Sequence, residues 1–366
     1  MKQGRISTRQ VAILLLTAQL SVTVFSQPSA VYRVFGYAGW QAPLMALLLA
    51  AWGTWTALSM TDRFPGESIV GVSRQVAGRW AGSLYALGLA GFWVLDAAVI
   101  TATFADVVTS SLLERTPLAA ILLLLLLPSA YMAALGLEKL VRVADLLSLV
   151  MAPLLLLLLL VPLQNVDFGN LRPVFTMPAG LLQRSPLEVL QSTFFLRGFM
   201  FLYLIRPAMA RPSEAGKALW VATLVTAGID LVFFAFPVAI YGLPVAKVLV
   251  WPYWEAVRIV RLSGFPLERL LYFMVVTWQT ITFVNTALVL YCVVAILGEV
   301  FGRERTWWSL PLALPPLYLL ARWPRNAVQT RLLQFAWLGS GVVVVLVLPT
   351  LLHLLAMVRH QGKSKP

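Results

Sequence analysis

The amino-acid sequence is dominated by repeated apolar runs of about the length that a bilayer requires. Ten runs can be distinguished, at about 11–32, 40–60, 81–113, 117–135, 144–163, 187–207, 217–240, 266–298, 307–321 and 333–358. A helix that crosses the hydrocarbon core needs about 20 predominantly apolar residues, with a range of roughly 17–25. The runs therefore predict an all-α polytopic membrane protein with about ten transmembrane helices, which we number as predicted spans one to ten.

Composition excludes the main alternative classes. Of the 366 residues, 60% are hydrophobic and 12% are charged, whereas a soluble globular domain carries roughly 25% charged residues. A soluble domain and a disordered chain are therefore both excluded. One cysteine, Cys292, and two histidines, His353 and His360, are too few for a multi-cysteine or zinc centre, so we expect no metal and no cofactor.

The sequence contains no motif that indicates an enzyme. It has neither a phosphate-binding glycine loop followed by lysine nor a His-Glu-x-x-His metal motif. Both histidines lie near the C-terminus, so a Ser-His-Asp triad cannot form within the predicted spans. We therefore expect that the protein is not an enzyme.

The basic residues are placed as in a membrane protein. The formal charge is +13, but Lys and Arg lie in short segments between apolar runs, which favours contact with anionic lipid headgroups over nucleic acid. Their modest excess in the predicted inner segments places both termini in the cytoplasm. Lys2, Arg5 and Arg9 before the first run could mark a signal peptide, but we interpret that run as a span.

Aromatic residues are expected mainly at the edges of the bilayer. Trp251, Tyr253 and Trp254 lie beside arginines in the stretch Leu243–Phe265, and this mixture suits a helix lying in the membrane interface. We expect most of the tryptophans to form an interface belt rather than a stacking cage.

Three polar residues lie near the middle of predicted spans. Asp96 lies in span three, Arg197 in span six and Asn285 in span eight, and a rise of 1.5 Å per residue puts all three near the same depth. Ionisable residues inside a membrane are costly and are functional candidates by default. Asp230, in span seven, is an alternative partner for Arg197 or a structural carboxylate.

Several short motifs, taken in order, resemble one family. They are Arg63-Phe64-Pro65 with Glu67-Ser68, Gly78-Arg79-Trp80-Ala81-Gly82, Leu112-Leu113-Glu114-Arg115-Thr116-Pro117, Gly136-Leu137-Glu138 with Arg142, Asn170-Leu171-Arg172-Pro173-Val174, and Trp251-Pro252 followed by Phe265, Glu268-Arg269 and Trp278. This pattern is similar to the GerAB-like B subunits of spore germinant receptors, a branch of the amino acid–polyamine–cation (APC) transporter superfamily. The resemblance covers nearly the whole chain.

The resemblance implies a fold, a ligand, partner subunits and a cellular location. It implies one domain, 1–366, with a LeuT-like inverted repeat of two five-helix halves, about 1–163 and 187–358, and broken first and sixth helices. It also implies a small-molecule germinant, such as an amino acid, bound at mid-membrane. The implied partners are a receptor A subunit and a lipoprotein C subunit, and the implied location is the inner membrane of a bacterial spore.

Two features depart from the family pattern. The family has several glycines before the proline of the first span, whereas this chain has none between Ser21 and Pro28. Glycine lowers the cost of a strained backbone, and this chain lacks glycine where the first helix would unwind. The family often has a glutamate shortly after the glycine of the sixth span, but Gly198 is followed by Phe199-Met200-Phe201.

In this fold the third, sixth and eighth helices border the central site, so the resemblance brings the mid-depth residues together. Asp96 would then bind an ammonium group, Arg197 a carboxylate and Asn285 either one. Alternatively, Asp96 and Arg197 only neutralise each other, and Asn285 only forms a helix–helix hydrogen bond. Gly198, at the implied break of the sixth helix, is a further binding candidate.

Polar residues before Pro28 are the remaining site candidates. Ser21, Thr23 and Ser26 could bond backbone groups that the proline leaves free, at an unwound part of the first span. Alternatively, Pro28 simply ends a short helix near the outer surface.

The sequence favours one of three functions. The first, which we favour, is a germinant-sensing membrane subunit that signals spore germination through partner subunits. The second is an amino-acid or amine symporter in which Asp96 or Asp230 carries a proton. The third is a structural subunit in which Asp96 and Arg197 form only a clamp.

Overall fold

The computed structural model describes residues 6–23, 27–173, 184–260, 270–303, 306–324 and 327–359. Within these ranges the regular structure is helical, and one isolated β-bridge pairs Ile6 with Met209. The α-helices are α1 (Thr8–Thr23), α2 (Gln27–Phe35), α3 (Gln41–Arg63), α4 (Ile69–Ala77), α5 (Arg79–Ser111), α6 (Leu118–Ala134), α7 (Leu137–Leu160), α8 (Pro186–Thr193), α9 (Leu202–Ile205), α10 (Ala215–Tyr241), α11 (Leu243–Ala246), α12 (Pro252–Arg258), α13 (Leu271–Val300), α14 (Leu310–Arg322), α15 (Ala327–Gly341) and α16 (Leu348–Val358).

Several of these helices satisfy the requirements for crossing a bilayer. Six helical segments of the described chain are long and apolar enough, at Pro28–Arg63, Arg79–Ser110, Leu137–Asn165, Pro212–Tyr241, Leu271–Val300 and Leu332–Val358, and shorter apolar helices cover Leu118–Ala134, Gly198–Ala208 and Leu310–Arg322. In lipid, a helix is favoured because it satisfies its own backbone hydrogen bonds. The predicted class, a helical membrane protein, is confirmed. Residues 1–5 and 360–366 lie outside the described ranges, so the side on which the termini lie stays a prediction.

Helix α13 forms the centre of the molecule. Of its most apolar window, 78% is buried inside the protein, whereas the corresponding value for α7 is 17%. Helix α13 contacts α1, α5, α6 and α7. A polar side chain on α13 therefore faces other helices, while most of α7 is left to face lipid.

Small residues let α3 pack closely against its neighbours. Its buried positions include Ala46, Ala50, Gly53 and Ala57, while large apolar side chains such as Trp52 are exposed. Transmembrane helices pack through small residues because lipid already solvates the large apolar ones. Close approach is tightest at Gly53, where an added Cβ would lie 2.4 Å from the ring of Phe199.

The predicted sixth span is not a single continuous helix in the structure. Helix α8 ends at Thr193, residues 194–197 are not helical, and a 3-10 turn Gly198–Phe201 leads into α9. In the first run, α1 ends at Thr23 and α2 begins at Gln27, with residues 24–26 outside the described ranges. Whether the first span is broken before Pro28, or Pro28 ends a helix, therefore stays a prediction.

Several aromatic residues are buried inside the protein rather than exposed on its surface. Tyr253 and Trp254 lie in the short helix α12 and are buried, and the hydroxyl of Tyr253 donates to the carbonyl of Leu158 at 2.9 Å. Trp93, Trp278 and Trp337 are also buried. Aromatic side chains carry large apolar area into a protein core, and composition alone does not distinguish this use from an interface belt.

We predict that Gly53→Ala destabilises the protein, because its new methyl group collides with the Phe199 ring. Overpacking of this kind typically costs about 1–3 kcal/mol. The matched control is Gly88→Ala in α5, where an added Cβ meets nothing within 4 Å and alanine is the better helix former. Thermal unfolding in detergent micelles measures both variants. Equal stability of the two variants would contradict this account of the α3 contact.

Candidate functional site

A buried ion pair joins the middle of α5 to the interrupted segment after α8. The Arg197 guanidinium donates through Nη2 to Asp96 Oδ1 at 2.8 Å, and the two side chains are only 3% and 1% exposed. The predicted proximity of these two residues is confirmed. Among the described residues, the acid that Arg197 contacts is Asp96 and not the alternative, Asp230.

Arg197 reaches this position because the helix before it stops. The non-helical residues 194–197 place Arg197 directly before the 3-10 turn. Two local bonds satisfy backbone groups that an α-helix would otherwise pair: Arg197 N–H donates to the Phe195 carbonyl, and Met200 N–H donates to the Arg197 carbonyl, each at 3.1 Å. The helix can therefore be interrupted at Arg197 while the N–H and carbonyl groups of that residue stay hydrogen-bonded.

An aromatic cage surrounds the guanidinium. The Arg197 Cζ atom lies 4.6 Å from the ring centroid of Trp337 in α15 and 5.8 Å from the centroids of Phe92 and Phe194. The Trp337 indole N–H also donates to Asp96 Oδ1 at 2.8 Å. A desolvated cation–π contact contributes about 2 kcal/mol, so Trp337 stabilises both members of the ion pair.

A small cavity opens beside the ion pair. Its free volume is about 10 Å³, and its walls are formed by Ala18, Gln19, Asp96, Phe195, Arg197, Gly198, Met200, Phe201 and Asn285. A cavity needs at least about 10–15 Å³ of such volume to hold one water molecule. The cavity is therefore about the size of one water molecule, and a larger ligand requires its walls to move apart.

Gly198 lets the cavity wall come close to two helices. A Cβ added there would lie 2.9 Å from Gln19 Cδ in α1 and 3.0 Å from Leu219 Cδ1 in α10. Any larger residue at this position would displace the Gln19 side chain or the 3-10 turn. Gly198 therefore allows close packing at the cavity wall because it has no side chain.

Hydrogen-bond donors around the cavity lack acceptors. Arg197 Nε and Nη1, Gln19 Nε2 and Asn285 Nδ2 are buried, and none finds a partner within the described part of the chain. Each buried donor that stays unpaired costs about 1–3 kcal/mol, and more when the group is charged. The cavity wall is therefore rich in unsatisfied N–H groups.

The predicted site residues do not all converge. Asp96, Arg197, Gly198 and Asn285 line one cavity. Ser21 is buried in α1, but its hydroxyl donates to the carbonyl of Ala18 at 2.7 Å and it does not line the cavity. The Thr23 side chain and all of Ser26 lie outside the described ranges, so their roles stay predictions. Asp230 is buried in α10, away from the cavity wall.

Sequence analysis missed two important residues. Gln19 lies within the first apolar run, and a glutamine among apolar residues is a signal that could have identified it. Trp337 carried no such signal, because an interface tryptophan and a buried one look alike in sequence.

In the described part of the chain, no group of three or more His, Cys, Asp or Glu side chains is placed to hold a metal ion.

Solved membrane transporters share this fold. A substrate-bound, outward-open Na⁺-coupled sialic acid symporter superposes with a TM-score of 0.70 at 13% identity, over 94% of this chain and 80% of that one. MhsT in complex with L-phenylalanine superposes with a TM-score of 0.68 at 14% sequence identity, over 98% of this chain and 90% of that one. The arrangement of helices is thus that of LeuT-fold, APC-type transporters.

Sequence comparison gives the family. A family model for spore germination proteins matches residues 5–330. Spore germination protein YndE of Bacillus subtilis (strain 168) is 22% identical over 362 residues, covering 99% of both chains, and GerQB of Bacillus cereus is 23% identical, covering 95% of this chain and 94% of that protein. This chain belongs to the spore germination protein family, and the resemblance found in its sequence motifs is confirmed.

We predict that Trp337→Phe lowers the free energy of unfolding by about 1–3 kcal/mol, because the ring over Arg197 remains while Asp96 loses a donor. Trp337→Leu should cost more, since it removes the cation–π face as well. The control is Trp80→Phe, whose parent side chain is 88% exposed and which should change stability by less than about 0.5 kcal/mol. Thermal unfolding of the purified variants provides the measurement. A Trp337→Phe variant as stable as Trp80→Phe would show that the indole N–H does not support the pair.

Proposed function

We propose that this chain is the membrane subunit of a spore germinant receptor and that it binds an amino acid or a similar small molecule beside Arg197, in an arrangement in which the walls of the cavity have moved apart. The observation that carries the proposal is a buried cavity lined by an ion pair and unpaired amide groups. A purely structural core would gain nothing from leaving these donors unsatisfied. Membership of the spore germination family supports the biological setting.

The proposal includes the finer architecture implied by the resemblance. The chain forms one domain with ten spans, in two inverted five-helix halves, with the first and sixth spans broken. Both termini face the cytoplasm, and the membrane is the inner membrane of the spore. The partners are a receptor A subunit and a lipoprotein C subunit. The interruption at residues 194–197 supports the broken sixth span.

Signalling then follows from differential affinity. The cavity lies between α1, α5, α13 and the interrupted segment around Gly198. A ligand that fits one arrangement of these elements better than another shifts their equilibrium by the difference in binding free energy. The partner subunits would respond to that shift.

A second function is an amino-acid or amine symporter. This function is supported by the fold, which the chain shares with the substrate-bound sialic acid symporter and with MhsT in complex with L-phenylalanine. Asp96 or Asp230 would then carry a proton. Uptake of labelled amino acids into proteoliposomes distinguishes this function from that of a receptor subunit, which binds without accumulating ligand.

We predict that Asn285→Leu weakens the germination response while protein abundance in the membrane stays normal. Leucine suits a helix core but offers the ligand no hydrogen bond, so affinity should fall by about 1–3 kcal/mol, or roughly 5–150-fold. Spore germination is measured against germinant concentration, with membrane abundance quantified in parallel. Gln279→Leu makes the same amide-to-leucine change in α13 outside the cavity wall and should leave the response unchanged. A normal dose response for Asn285→Leu at normal abundance would remove Asn285 from the site.

A further inference from the structure

Two tryptophans of α3 are exposed at a depth where lipid offers no hydrogen-bond acceptor. Helix α3 has 23 residues, so it is about 34 Å long, close to the roughly 30 Å of the hydrocarbon core. Trp52 is its middle residue and lies about 16 Å from either end. Trp55 follows on the same face, and the two side chains are 44% and 52% exposed. Tryptophan is enriched at the edges of a bilayer, where its N–H meets polar groups, so this position needs another explanation.

The indole N–H groups of both side chains are available to a partner. Neither donates a hydrogen bond to another residue in the described ranges. The hydroxyls at the contact between α3 and α16 are engaged within the protein: Thr56 donates to the carbonyl of Trp52 at 3.1 Å, and Thr350 donates to that of Leu346 at 2.7 Å. A donor that faces hydrocarbon without an acceptor is costly. The surface therefore presents two unpaired donors and calls for acceptors from outside the chain.

The protein holds one of these rings in its outward position. Trp55 makes a T-shaped contact with the buried ring of His353 in α16, with ring centroids 5.2 Å apart and planes at 87°. A ring that is fixed before binding loses little freedom on binding. Exposed leucines on both helices extend the apolar area around the tryptophans. We define the α3–α16 surface as Leu48, Trp52, Trp55, Leu351 and Leu354.

From this arrangement we infer that the α3–α16 surface docks a transmembrane helix of another protein, and that this helix presents hydrogen-bond acceptors opposite Trp52 and Trp55. In lipid, helices associate through close packing and interhelical hydrogen bonds, and tryptophan is among the residues that contribute most to binding at interfaces. The partner helix therefore carries Ser, Thr, Asn or Gln near its middle.

A second copy of this chain is a poorer occupant. A two-fold symmetric contact sets the same surface of both copies against each other. The two indole donors of one copy would then face the two indole donors of the other. Since the surface is not self-complementary in hydrogen bonding, the occupant is a different chain.

Helix α3 also connects this surface to the wall of the cavity. Gly53 follows Trp52 directly, and a Cβ added to Gly53 would lie 2.4 Å from the ring of Phe199. Phe199 stands between Gly198 and Met200, which line the cavity. The 3-10 turn cannot move toward α3 without displacing it, so a docked helix would respond to movement of the cavity wall. The docking surface itself goes beyond the proposed function, because it requires no small molecule.

The experiment uses the full chain in lipid vesicles and two synthetic transmembrane peptides as probes. Both are leucine–alanine helices that span the bilayer, one with a single asparagine at its centre and one with leucine in that place. Energy transfer between a dye on the peptide and a dye at the C-terminus of the chain reports binding, at a dilution in lipid where the peptides stay monomeric. We expect the asparagine peptide to bind at least about threefold more tightly, the size of one average interhelical hydrogen bond.

Trp52→Phe combined with Trp55→Phe tests the source of this preference. Phenylalanine keeps an apolar ring but has no N–H, so both peptides lose similar packing and only the asparagine peptide loses its hydrogen bonds. The affinity ratio of the two peptides should fall to about one. The single variants should each retain part of the preference, and they keep the test informative if the double variant does not fold. Trp80→Phe, at an exposed position in the first turn of α5, is the matched control and should keep the parent ratio.

The outcomes separate this inference from the proposed function. Equal binding of the two peptides to the parent chain, or a preference that survives in the double variant, would overturn the docking surface and leave a small-molecule receptor intact. Dyes on two copies of the chain test for self-association. Self-association that is lost in the double variant would show that a second copy covers the surface, and would overturn the assignment to a different chain.

Discussion

The ion pair between Asp96 and Arg197 is the interaction on which the rest of the site depends. Two charges that are nearly completely buried lose the solvation of water, and that loss is compensated only when the geometry and the surrounding hydrogen bonds are favourable. Here the favourable surroundings come from Trp337, which bonds the carboxylate and covers the guanidinium. The ion pair and its contacts with Trp337 therefore hold α5, α15 and the interrupted segment in contact.

The interruption after α8 and the ion pair depend on each other. A continuous helix would direct the side chain of residue 197 by helical periodicity alone, whereas the non-helical residues 194–197 let Arg197 reach α5. In return, the pair holds the interrupted segment against α5, while Gly198 and Gly53 allow it to approach α1 and α3. Packing on several sides thus determines an otherwise irregular piece of backbone. A ligand that engages the remaining donors of Arg197 acts on the same guanidinium that these helices share.

Sequence reasoning predicted those features that depend on the cost of burying polar groups in lipid. The apolar runs indicated membrane helices, and Asp96 and Arg197 stood out because charges inside such runs are expensive. Trp337 was not singled out, because an aromatic side chain is stable both in a core and at an interface. Gln19 was missed because the candidates in the first span were chosen around the implied break before Pro28. Which faces of distant helices meet depends on packing between positions far apart in the chain, and no local pattern encodes it.

A double-mutant cycle on the ion pair tests the central claim most directly. The free energies of unfolding of Asp96→Leu, Arg197→Met and the double variant are compared with the parent in mixed micelles. The account predicts that each single change costs about 3–5 kcal/mol, because it strands a buried charge, while the double variant is closer to the parent than either single variant. Losses that simply add in the double variant would contradict the claim that this pair holds the site together.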